Sequence, residues 1–174
     1  MTSRPAAPTP RRRLGVAAAA LVAALGLSAC QVASPATTTY QYDPADGVSV
    51  QVGDVRVLDL LVVSEGAGAP GVVSGSVVNT AREEVEVTMA VQTADGRTDL
   101  SPTLAVPPTT SVRADGDGEN GSGEPVRIDA VEVRAGQMVT VRVSTSTGET
   151  ESRRVPVLLP EGSYAPYAEV LGGE

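Results

Sequence analysis

The stretch Glu84-Val85-Glu86-Val87-Thr88-Met89-Ala90-Val91-Gln92 decides the fold class. Val85, Val87, Met89 and Val91 fall on one side, and Glu84, Glu86, Thr88 and Gln92 on the other. A period of two is that of a strand with one face in a core and one in water. Outward from it the pattern repeats. Val48, Val50 and Val52 share a face opposite Ser49 and Gln51, and Gly53-Asp54 turns the chain. Residues 55–63 are a longer apolar run whose phase slips near Leu58, which predicts a bulge or a strand buried on both faces. A glycine-rich loop covers 64–71, Val72–Asn79 reads as a strand, and Thr80-Ala81-Arg82-Glu83 as a turn.

Beyond Gln92, residues 94–99 read as a polar turn. Residues 100–125, with Pro102, Pro107 and Pro108, read as an irregular crossing with one short strand near Leu104. Residues 126–133 are extended and Ala135-Gly136 turns. Val139, Val141 and Val143 then point inward, and 145–151 form a hairpin loop. Val155, Val157 and Leu159 close the sheet, with Pro156 marking an edge strand because it lacks an N–H. The expectation is all-β: an Ig-like or cupredoxin-like antiparallel β-sandwich of about seven or eight strands over 47–159, with no helix. A C-terminal tail, 160–174, is expected to lay Tyr164 and Tyr167 along the sandwich, as Tyr40 and Tyr42 do from the other terminus. With no Phe and no Trp, the core falls to valine, whose branched side chain suits a pleated sheet.

The N-terminal residues describe a different object. Residues 1–13 carry Arg4, Arg11, Arg12 and Arg13 and no acid. Leu14 to Leu27 is an uncharged run of 14 residues, short of the roughly 20 that span a bilayer. Small residues follow, so 1–29 reads as a cleaved export signal. Leu27-Ser28-Ala29-Cys30 resembles the lipobox of bacterial lipoproteins. That resemblance implies a diacylglyceryl group on the Cys30 sulfur, palmitate-class acylation, and cleavage before Cys30. Two or more acyl chains hold a protein on a membrane where one does not. Residues 30–46 then form a lipidated flexible tether from membrane to domain. The expected location is the extracytoplasmic face of the cell membrane. Arg11-Arg12 fits a plain basic leader or a twin-arginine signal. The arginine-only, alanine-rich composition resembles that of actinobacterial lipoproteins.

Charge and composition exclude several functions. The chain has 13 arginines, no lysine and no histidine. Without the four leader arginines, nine face 21 acids, and 9 − 21 = −12. Such a chain repels nucleic acid and anionic lipid. Serine–histidine, cysteine–histidine and lysine nucleophile systems lack their parts once Cys30 is acylated. A carboxylate pair is the remaining route to a weak hydrolase, without aromatic platforms for a substrate. The expectation is a non-enzyme with no cofactor, no small-molecule substrate and an envelope protein as partner.

Val72–Val91, with Ser76-Val77-Val78-Asn79 before the strand, resembles the strand, Asn-containing turn and strand of PCuAC-type copper-chaperone-like domains. Ala135-Gly136-Gln137-Met138-Val139-Thr140-Val141, with Arg154-Val155-Pro156-Val157, resembles that family's closing hairpin. The resemblance covers roughly 47–159 at the level of pattern. It implies a β-sandwich that delivers Cu(I) through paired His and Met ligands. This chain has no histidine, and after cleavage only Met89 and Met138 remain. Met89 is on the inward phase of its strand and Met138 is opposite to Val139. Soft Cu(I) takes thioether, thiolate or imidazole donors, so no copper ligand is carried over and the metal site is empty of residues. The alternative function is a metal-handling relative with a degenerate site.

Three local patterns need structural context. Gly66-Ala67-Gly68-Ala69-Pro70-Gly71 matches G-x-G-x-x-G, but a strand follows where a dinucleotide fingerprint needs a helix. Asp115, Asp117, Glu119 and Glu124 supply hard-cation donors. Asn120 stands where an EF-hand loop needs glycine, and Val126 where it needs a bidentate acid. The stretch reads as a solvated acidic loop. Asn120-Gly121-Ser122 reads as a turn.

Overall fold

The computed structural model describes residues 45–116 and 123–172. Cys30 and its leader, Tyr40, Tyr42, Asp117, Glu119 and Asn120 lie outside the described residues. The valine alternation builds the strands it predicts. They are β1 (Val48–Val52), β2 (Val55–Ser64), β3 (Gly71–Asn79), β4 (Val85–Thr93), β5 (Gly96–Asp99), β6 (Leu104–Val106), β7 (Ser111–Arg113), β8 (Arg127–Ile128), β9 (Met138–Thr145) and β10 (Thr150–Leu158). The main path through the sheet is β5-β4-β9-β10-β2-β3-β7.

Three long strands each pair with two different strands end to end along one edge. On β4, Val85–Val87 pair with β6 and Ala90–Thr93 with β5. On β3, Gly71–Val72 pair with β8 and Ser76–Val78 with β7. On β2, Val55–Leu60 pair with β1 and Val62–Val63 with β10. The sheet curls so that Val50, Val57, Val73, Val87, Met89, Val141 and Val155 meet in one core. The sandwich-like all-β architecture is as expected.

Details differ from the sequence reading, each for a local reason. The pairing of β10 with β2 is parallel, so the sheet is mixed and not purely antiparallel. Strand β10 is not a simple edge strand. Val157 donates to the Gln137 carbonyl at 2.9 Å, so its backbone polar groups face β9. Those of Pro156 therefore face the β2 side, where pairing starts only at Val157. The missing N–H sits just before a donor is needed. Leu159 lies beyond the strand and is 38% exposed, so Val155 and Val157 close the core without it. The polar stretch 94–99 is a tight turn at Ala94-Asp95 followed by β5, and the irregular crossing contains β7. The expected tail contains a single turn of 3-10 helix (Gly162–Tyr164) and a six-residue helix, α1 (Tyr167–Gly172).

The phase slip in β2 is a bulge. The register with β3 shifts between Leu58 and Leu61, and Asp59 takes a φ of 54°. After the shift every residue from Leu60 to Ser64 is buried. Val62 and Val73 pair within the inner core. Leu61, Val63 and Val72 are fully buried but outside that core. The strand thus has both features that the sequence allowed as alternatives.

Asn79, 1% exposed, closes the β3–β4 turn. Its Nδ2 donates to the carbonyls of Glu83 (2.7 Å), Val106 (3.0 Å) and Pro107 (3.3 Å), and its Oδ1 accepts from the Ala81 N–H at 2.9 Å. No other side chain of that size offers two donors and an acceptor in this arrangement. Asn79→Ala strips these groups of their partner, at about 1–3 kcal/mol for each one left buried and unsatisfied. Denaturant unfolding is expected to show a loss of about 2–3 kcal/mol with an unchanged slope. A loss below about 0.5 kcal/mol, the range of an ordinary surface substitution, would contradict the staple.

Candidate functional site

Asp115 is the centre of the most connected polar cluster among the described residues. Ala114, fully buried, donates to the Gly75 carbonyl at 2.9 Å and accepts from Val126 at 2.8 Å. These bonds pin the chain just after β7 against β3 and bring Asp115 beside Ser74. Arg113 Nε donates to Asp115 Oδ1 at 2.8 Å, and its Nη2 donates to Oδ2. The pair is bidentate, the strong arrangement for guanidinium and carboxylate. The Tyr167 hydroxyl, arriving from α1, donates to Asp115 Oδ2. Ser74 Oγ lies 2.8 Å from that hydroxyl and 3.3 Å from Asp115 Oδ2. Because the tyrosine proton points at the carboxylate, Ser74 is the donor to the tyrosine oxygen.

The electrostatics follow this geometry. The hydrogen bond to Asp115 raises the Arg113 pKa, against its partial desolvation. Burial pushes the Tyr167 phenol up, and the bond it donates to Asp115 adds to this. With the Arg113 fork and the Tyr167 hydroxyl donating to its oxygens, Asp115 is an anchor for the C-terminal segment. It is not part of a solvated acidic loop, which corrects the sequence reading at that residue. An open groove of about 610 Å³ runs beside it, lined by Gly116, Arg127, Pro166, Tyr167 and Val170. Arg127 Nη1 spans this groove to the Val170 carbonyl at 2.9 Å.

A second tyrosine anchors the same segment. Tyr164 donates to Asp46 Oδ2 at 2.9 Å, and its ring centroid is 6.3 Å from that of Tyr167. The two tyrosines thus lie on the sheet, as expected of the C-terminal pair. The sequence reading missed Ser74, Arg113 and Tyr167 as one site. Arg113-x-Asp115 was visible as an opposite-charge pair, but nothing local connects it to a tyrosine 52 positions later.

The other candidates do not assemble. Met89 is 2% exposed in the core, and Met138 is 37% exposed beside a small cleft of about 180 Å³ lined also by Val91, Ile128 and Val131. Among the described residues no three His, Cys, Asp or Glu side chains are placed to hold a metal ion. The G-x-G-x-x-G segment is the loop between β2 and β3, closed by Ser64 Oγ donating to the Pro70 carbonyl at 2.8 Å. Glycine is needed at Gly66, where φ is 106° and a Cβ would lie 2.8 Å from the Ala135 nitrogen. No helix follows to receive a phosphate.

Tyr164 provides a titration test. Burial first, and then its bond to Asp46, push its pKa up to about 12. An unfolded tyrosine ionises near pH 10, so the stabilisation from this phenol is complete below about pH 10. It is lost as pH rises through the folded value of about 12. Tyrosinate absorbance should therefore lose its step near 12 in Tyr164→Phe. A lost step near the ordinary value of about 10 would contradict the assignment.

The chain matches no family model and no curated protein. Its fold is similar to solved PCuAC domains. The copper-bound PCuAC domain from PmoF2 has a TM-score of 0.44 at 15% identity, over 65% of this chain and 99% of that one. The apo PmoF2 PCuAC domain gives 0.43 at 14%, over 66% and 98%. The apo PCuAC domain from PmoF1 gives 0.47 at 11%, over 65% and 100%. At such identities no ligand residue passes from those domains to this chain.

Proposed function

We propose that this protein is a lipid-anchored, extracytoplasmic β-sandwich domain that serves the cell envelope as a binding or structural module, without catalysis. The observation that carries the reading is the order of features in residues 1–30: basic residues, a short uncharged run, then Leu27-Ser28-Ala29-Cys30. The described domain fits the role. Its best-formed polar site uses Asp115 to hold the chain's own C-terminal segment, and its −8 charge over the whole chain opposes adsorption to anionic lipid headgroups. A covalent anchor is then what brings it to a membrane. The metal-handling alternative gains no donors among the described residues: the chain has no histidine, Met89 is in the core, and no second soft ligand among those residues lines the cleft beside Met138.

Expression of the full chain in a bacterial host with alkyne-bearing palmitate tests the anchor. The wild-type chain should carry the label and sediment with membranes, and Cys30→Ala should lose both. A wild-type chain that is unlabelled and soluble, or a Cys30→Ala chain that keeps the label, contradicts the reading.

A further inference from the structure

The outer face of β2 and β3 is a second apolar surface. Leu61 pairs with Ser74 and Val63 with Val72, so these four side chains share the face turned away from the inner core. The three apolar ones are fully buried and take no part in that core. The C-terminal segment lies on this face, since Ser74 Oγ and Tyr167 Oη are 2.8 Å apart and α1 packs on β3. Tyr164, Tyr167 and Leu171 are half-buried at a helical spacing, so one side of the segment rests on the sheet.

Its attachment is unlike that of the strands. No residue of the 3-10 turn or of α1 is fully buried. A six-residue helix cannot hold its own conformation in water. The segment is held at three polar points: Tyr164 to Asp46, Tyr167 to Asp115 and Ser74, and Arg127 to the Val170 carbonyl. It joins the sandwich through buried Pro160 and through Gly162, where φ is 57°. Elements with few buried apolar side chains and exposed backbone bonds are those that open locally while the rest stays folded.

We infer that residues 160–172 are a releasable strap, latched by the Tyr167–Asp115–Ser74 contact, whose opening uncovers Leu61, Val63 and Val72 while the inner core stays closed. The strap seals an apolar face that the sandwich does not need for its own closure. The anchored domain therefore has two surface states, one polar and one with an apolar sheet face.

Amide hydrogen exchange on the full chain tests this, with Tyr167→Phe removing only the latching hydroxyl. In the wild type, the Tyr164, Ala165 and Ala168 amides should exchange at least about 100-fold faster than those of Val73 and Val141, after correction for intrinsic rates. Tyr167→Phe should accelerate the strap amides about fivefold to 20-fold more and leave Val73 and Val141 unchanged. Tyr164→Phe should act in the same direction from the other anchor. Equal protection of strap and core in the wild type overturns the inference. So does equal acceleration of both by Tyr167→Phe, which would make the strap part of the cooperative core. No acceleration of the strap by either variant overturns the latch.

Discussion

The bulge in β2 is the constraint on which the rest of the structure depends. A strand in regular alternation can bury one set of side chains per face and keep one register. Asp59, at a φ of 54°, breaks that register between Leu58 and Leu61. Up to Leu60, through the break, β2 pairs with β1, and from Val62 with β10. The same strand thus closes two parts of the sandwich. The break also leaves the last half of β2 apolar on both faces, which creates the surface under the C-terminal segment. Asp59 is itself held, since the Gly47 N–H donates to its Oδ1 at 2.8 Å.

The partner strand is shaped to fit. Gly75 faces the bulge with a φ of 151°, and a Cβ there would lie 3.2 Å from the Leu58 carbonyl oxygen and 3.3 Å from Leu60 Cα. Its own carbonyl accepts from Ala114 at 2.9 Å, which fixes the chain that carries Asp115. One backbone irregularity therefore runs from β2, through Gly75, to the carboxylate that holds Tyr167. Fold and candidate site are consequences of the same register break.

The sequence made some of this legible and concealed the rest for physical reasons. Strand β4 was readable because Val85, Val87, Met89 and Val91 are buried while Glu86, Thr88 and Gln92 between and beside them meet water. The slip at Leu58 was readable because apolar residues fell out of phase. Strands β5 and β7 were not. Gly96-Arg97-Thr98-Asp99 is polar on both faces, and Ser111-Val112-Arg113 is too short to show a period. Their pairing comes from the neighbouring strand. The parallel contact of β10 with β2 joins only two residue pairs across nearly a hundred positions, and tertiary packing sets it. Helix α1 follows Pro166, ends at Gly172 and is stabilised by what it rests on. Asp115 looked like one of several solvated acids, because Ser74 and Tyr167 reach it only once the sheet has formed.

The most direct measurement compares the unfolding free energies of Gly75→Ala and Gly96→Ala. Both glycines have positive φ, 151° and 134°, but nothing lies within 4 Å of a Cβ built at Gly96. The pair separates backbone strain, about 1–3 kcal/mol at such a conformation, from collision with the bulge. If β2 and β3 depend on the bulge, Gly75→Ala costs at least about 1 kcal/mol more than Gly96→Ala, as overpacking against fixed backbone does. Equal losses at the two positions would contradict the central place given to that register break.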